Sequence, residues 1–113
     1  MVAAIVNDFG PVGILVNNAG IASRGHSVAD TDPAEFERVV RIHSFGPHYL
    51  CKLCVPGMRD QGWGRIVTFT GTSEPRMLNA AFTAKAAVHV WSKGLSREVA
   101  LTDLACGVVG VFI

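Results

Sequence analysis

Residues 13–20 read Gly13-Ile14-Leu15-Val16-Asn17-Asn18-Ala19-Gly20. The first four form an apolar run, and an Asn-Asn pair and a glycine follow at once. A short unbroken aliphatic run bounded by turn residues is the pattern of a fully buried strand, not of one with a wet face. Two more segments read as strands: Arg65 to Thr70, rich in β-formers, and Gly107 to Ile113. Helical patterns separate them. Val2, Ile5, Val6 and Phe9 fall at helical spacing, and Gly10-Pro11 stops that helix.

A long helix is predicted over 33–59. Asp32 can cap it, Pro33 suits its first turn, and Glu35 can reach back as in a capping box. Phe36, Val39, Val40, Ile42, Phe45, Tyr49, Leu50 and Leu53 mark its apolar stripe, and Pro56 is expected to kink or end its last turn. Another helix is predicted over 80–101, with Val88, Trp91, Leu95 and Val99 on one face and alanines that allow close packing. Strands alternating with helices imply an α/β fold, a parallel sheet of about three strands with right-handed crossovers.

Composition narrows the function classes. The chain has 113 residues, half of them hydrophobic and 17% charged, against roughly 25% charged in an average soluble domain. Its mean hydropathy is +0.35. Such a chain is not disordered. Its formal charge of +1 supplies no field for nucleic acid or an anionic membrane. No apolar run approaches the roughly 18 residues of a membrane span. The three cysteines, Cys51, Cys54 and Cys106, are odd in number, and Met1 to Asn7 has no basic leader. The expectation is a cytoplasmic protein with reduced thiols.

Several stretches resemble one family, the short-chain dehydrogenase/reductases. Residues 13–20 are similar to its fourth strand and NNAG motif. Phe36 to Gly46 resembles the start of its long interface helix, and Gly64-Arg65-Ile66-Val67 its fifth strand. Ala84-Lys85-Ala86-Ala87-Val88 and Lys93 to Ala100 resemble the helix that carries its lysine. The likeness covers roughly residues 1–101 and is nearest in flavour to 3-oxoacyl-carrier-protein reductases. It implies a Rossmann-like sheet, NAD or NADP as cofactor and chemistry between a carbonyl and an alcohol. It implies that Lys85 is a catalytic residue that also binds the nicotinamide ribose, and that Ser73 and His43 stand at further catalytic positions. It also implies that Asn17, Asn18, Ala19 and Gly20 line the cofactor crevice, although the same residues could simply end the strand and bond the next loop.

Two departures limit the implied activity. No G-x-G-x-x-G phosphate cradle occurs in the chain. The family's tyrosine lies four residues before its lysine, and that position is Ala81 here, with Phe82 beside it. Alanine has no proton to exchange. The chain is therefore read as one amino-terminally truncated α/β domain, 1–113, without the glycine-rich half, and weak or inactive alone. The resemblance further implies homo-oligomers through helices 33–59 and 80–101. The alternative is a non-catalytic self-associating module or a gene fragment.

Other constellations carry less. His43, His48, Cys51 and Cys54 lie on one predicted helix, where zinc sites rarely form, so no metal is expected. Cysteine there is more simply a small buried hydrophobe. Ser73 is in no G-x-S-x-G elbow. Glu35, Glu37, Arg38 and Arg41 read as a solvated helix face, and Trp63 and Trp91 as packing residues.

Overall fold

The computed structural model describes residues 1–71 and 74–100 and, as backbone, 105–112. The order is α1 (Val2–Phe9), β1 (Ile14–Asn17), α2 (Pro33–Val40), one π-helical turn (Arg41–Phe45), α3 (Gly46–Asp60), β2 (Trp63–Thr70), α4 (Ala80–Ala100) and β3 (Ala105–Phe112). The three strands form one parallel sheet in the order β1-β2-β3. The α/β fold class is as the alternation of patterns implied. Both crossovers run the same way across the sheet. Right-handedness then puts α2, α3 and α4 on one face, and α4 packs against α2 and the π turn.

Beneath those helices Cys51, Cys54, Val55, Met58, Ile66 and Val99 form the main core, and Leu15, Trp91 and Leu95 pack against it. Met58, Ile66 and Val99 are fully sealed. Burying each such side chain contributes about 1.5–3 kcal/mol. Val39, Ala80 and Ala81 form a second cluster between α2 and α4.

The long helix differs from expectation in three ways. Its start is capped by Asp32, whose carboxylate accepts from the Ala34 amide at 2.9 Å. No capping box forms, because Glu35 instead holds Arg38 through two 2.9 Å bonds. Pro56 does not end the helix, which continues to Asp60. The break comes earlier. Pro47 has no N–H for the His43 carbonyl and crowds it, so the ladder slips by one residue at this point, and the Gly46 amide bonds the Arg41 carbonyl. The extra residue turns α3 on its axis. Phe45, Tyr49 and Leu53, assigned to the apolar stripe, are 47%, 61% and 59% exposed. Cys51, Cys54, Val55 and Met58 face inward instead.

Two smaller differences follow. β2 opens at Trp63, two residues before the predicted strand start at Arg65. The spacing of α1 is helical, but none of its residues is buried.

Candidate functional site

The carboxyl ends of parallel strands are where open α/β sheets bind ligands. Three backbone elements meet there in this chain. The first is Asn17–Gly20 at the end of β1. Asn17 is buried, and its amide donates to Thr68 Oγ1 on β2 at 3.3 Å and to the Cys51 sulfur on α3 at 3.8 Å. It fastens strand to strand and strand to helix. Asn18, Ala19 and Gly20 are exposed.

The second element is the π turn with His43, which is 5% exposed. Its Nε2 lies 3.1 Å from the Ile21 amide nitrogen and 2.8 Å from the Ile21 carbonyl oxygen. One tautomer accepts from that peptide and the other donates to it. The ring thus pins the loop that leaves β1. Its Nδ1 is buried without a partner. The ring also explains Gly20: a Cβ there would lie 2.3 Å from His43 Cε1.

The third element is the start of α4. Asn79 caps it, accepting from the Phe82 amide at 3.1 Å and donating to the Ser23 carbonyl at 2.8 Å. A further bond, from the His26 amide to the Leu78 carbonyl, ties the same loop down. Two turns into the helix, Lys85 reaches back to the sheet, and its Nζ donates to the Phe69 carbonyl near the end of β2 at 3.0 Å. Partial burial holds its ammonium below the ordinary lysine range. Ser44, beside His43, donates to the carbonyl of Ala84, beside Lys85, at 2.9 Å. The π turn and the lysine turn are therefore in direct register. Ser73 lies outside the described residues.

Asn79 and Pro47 were the positions that sequence reasoning overlooked. Asparagine just before an alanine-rich helix is an N-cap signal, and Gly46-Pro47 inside a predicted helix is a breaker signal.

The comparisons with known proteins agree on one answer. The family model described as short chain dehydrogenase matches residues 1–111. The chain belongs to the short-chain dehydrogenase family. Nodulation protein G of Azospirillum brasilense is 36% identical over 104 residues, 88% of this chain and 42% of that one. The 3-oxoacyl-(acyl-carrier-protein) reductase FabG of Haemophilus influenzae is 33% identical over 109 residues, 93% and 44% of the two chains. A short-chain dehydrogenase from Streptomyces avermitilis superposes with a TM-score of 0.84 at 29% identity, over 98% of this chain and 40% of its own. NAD+-bound xylitol dehydrogenase superposes with a TM-score of 0.84 at 27% identity, over 98% and 44%. The chain thus spans less than half the length of each of these relatives.

The position of the short-chain dehydrogenase tyrosine, counted back from Lys85, is Ala81. That residue is 7% exposed and packed against Val39, so it points into the core and not into the crevice. Phe82 and Lys85 both border Gly71. Phe82 Cδ1 and Lys85 Cδ both lie 3.3 Å from where a Cβ on Gly71 would stand.

Cys51 and Cys54 are buried free thiols, and burial pushes the Cys54 thiol up from its ordinary value. They act as core hydrophobes. His48 accepts from the Trp91 indole at 3.3 Å. Among the described residues no cluster of His, Cys, Asp or Glu could hold a metal. No described helix is long and apolar enough to cross a membrane.

Proposed function

We propose that residues 1–113 supply the ribose-binding side of an NAD(P)-dependent oxidoreductase acting between a carbonyl and an alcohol, and that alone they are weak or inactive. The observation that carries this reading is Lys85. It is held at the carboxyl end of the sheet by one 3.0 Å bond to the Phe69 carbonyl. An ammonium has three N–H donors, so the rest are available for ribose hydroxyls. Asn17 to Gly20 form the facing strand end. The residues fit the ribose, but they do not fit the pyrophosphate, for which no glycine-rich turn is present. Nor do they place a general acid at Ala81. His43 cannot stand in while its Nε2 serves Ile21. No proton-transfer step is therefore assigned to this chain.

The test is titration of the purified chain with NADPH, read by nicotinamide fluorescence and by melting temperature. Weak saturable binding that is lost in Lys85→Met supports the reading. No signal at millimolar cofactor refutes it. On this reading the protein works in the cytoplasm, an expectation supported by the free thiols of Cys51 and Cys54.

A second reading is self-association through α3 and α4. It is favoured by a groove of about 610 Å³ between them, lined by His48, Cys51 and Val55 on one side and Trp91, Gly94 and Leu95 on the other. On the same two helices Tyr49, Leu53 and Val90 stand 61%, 59% and 68% exposed. A second copy would cover this surface. Light scattering at tens of micromolar should report more than a monomer, and Leu53→Arg should reduce it; a clean monomer contradicts the reading.

A further inference from the structure

Ser44 spends its one hydroxyl proton outside its own helix. A serine within a helix commonly bonds the carbonyl one turn back, which for Ser44 belongs to Val40. Here the hydroxyl crosses to α4 instead and donates to the Ala84 carbonyl at 2.9 Å, 40 residues along the chain. α4 is unbroken from Ala80 to Ala100, so that carbonyl already accepts an amide of its own helix, from Val88. A carbonyl oxygen has two lone pairs, and Ser44 takes the second. The bond is therefore not needed to satisfy a polar group of α4. Its effect is to fix where this turn of α4 stands.

The turn so fixed is the root of Lys85. Ala84 is 1% exposed and directly precedes the lysine. From there the side chain runs back to the sheet, where its Nζ meets the Phe69 carbonyl at 3.0 Å. A lysine stem is flexible and loses much rotamer freedom when it is held. One bond at the tip can hold it only if the helix starts the stem in the right place. Ser44 is the described side chain that bonds the backbone at that start.

The other end of the link is firm as well. Ser44 belongs to the π turn, and its neighbour His43 is buried against the Ile21 peptide. Two adjacent residues of one turn thus hold the loop that leaves β1 and the lysine turn of α4. The π turn is a spacer between the two banks of the crevice, Asn17–Gly20 on one side and Lys85 on the other.

We propose that Ser44 is a positioning residue for Lys85: its bond to the Ala84 carbonyl sets the turn of α4 from which the lysine reaches the Phe69 carbonyl and faces the ribose. The ribose part rests on the proposed function. The seating of Lys85 does not, and it is measured without cofactor.

Ser44→Ala removes the bond and Ser44→Thr keeps the hydroxyl; both are first shown to keep the wild-type circular dichroism. The first readout is the pH titration of the Lys85 side-chain NMR signal, told apart from Lys52 and Lys93 by its loss in Lys85→Met. Its midpoint in the wild type should lie below the ordinary lysine value. In Ser44→Ala the freed turn lets water reach the amine, so the midpoint should rise toward that value. In Ser44→Thr it should stay where the wild type has it. A merely structural loss would lower the melting temperature and leave this titration unmoved. The second readout is NADPH affinity, which Ser44→Ala should weaken about two- to tenfold, the size of one net hydrogen bond, and Ser44→Thr should largely keep. Three results would overturn the proposal: a Lys85 titration unchanged in Ser44→Ala, the same rise in Ser44→Thr, or NADPH bound as tightly by Ser44→Ala as by the wild type. If the wild type itself binds no NADPH, the proposed function falls, and the Lys85 titration alone decides for or against Ser44.

Discussion

Replacing Gly20 with alanine adds one methyl group to an exposed position, yet it should be among the more damaging changes in this chain. Its Cβ would stand 2.3 Å from His43 Cε1 and 2.9 Å from Nδ1. The ring cannot step aside freely, because it is 5% exposed and its Nε2 is bound to the Ile21 peptide. Overpacking of this kind costs about 1–3 kcal/mol. Moving the ring also gives up a part-buried hydrogen bond, about 0.5–1.5 kcal/mol. The expected loss is about 2–4 kcal/mol from these two effects together. At about 4 °C per kcal/mol for a domain near this size, the melting temperature should fall by roughly 8–16 °C. The assay is urea and thermal unfolding of Gly20→Ala, His43→Ala and the double variant. With the ring gone the three nearest atoms to that Cβ are gone too, so most of its cost should vanish in the double variant. Gly94→Ala is the control. Its Cβ would have no neighbour within 4 Å, and alanine in a helix interior should stabilise by about 0.5–1 kcal/mol. A Gly20→Ala cost that stays the same without His43 would refute the reasoning.

Other expectations follow from the same contacts. Met58→Ala empties a fully sealed position and should cost about 2–5 kcal/mol by chemical denaturation; less than 1 kcal/mol would show that Gly64 and its neighbours collapse into the space. The chain has a single tyrosine, Tyr49. Phe82→Tyr should add a phenol beside Lys85 that ionises below the ordinary tyrosine value of about 10, read as the difference between variant and wild-type ultraviolet titrations. For Lys85 itself, burial keeps the folded chain's ammonium below 10.5. Between the lowered value and 10.5 the unfolded chain holds more protons, so stability rises with pH. The wild type should therefore gain on Lys85→Met as pH is raised through that window, and a flat or shrinking difference would contradict the burial of the amine.

Much of the fold was legible because its signals are local. The aliphatic run of Ile14 to Val16, the Asp32-Pro33 start and the Gly10-Pro11 stop each specify an element through a few adjacent residues. The phase of the long helix was harder to read. Pro47 shifts it by one residue, and a stripe drawn at even helical spacing then names Tyr49 and Leu53 as core when they are exposed. Ala81 poses a similar problem. The spacing from Lys85 that singles it out says nothing of its direction, and only packing shows that it is buried in the cluster with Val39 while Phe82 borders Gly71.

By itself the sequence determined the α/β class, the three strands and the family, because periodicity, turn chemistry and the spacing of short motifs are properties of neighbours along the chain. The tertiary structure decided what each polar side chain is for. His43 serves the Ile21 peptide and Asn79 ties the first loop to α4. Asn17 joins β1 to β2 and keeps one amide end unpaired. Those roles depend on partners 22 to 56 residues away, and burial makes such pairings necessary without any local pattern to announce them.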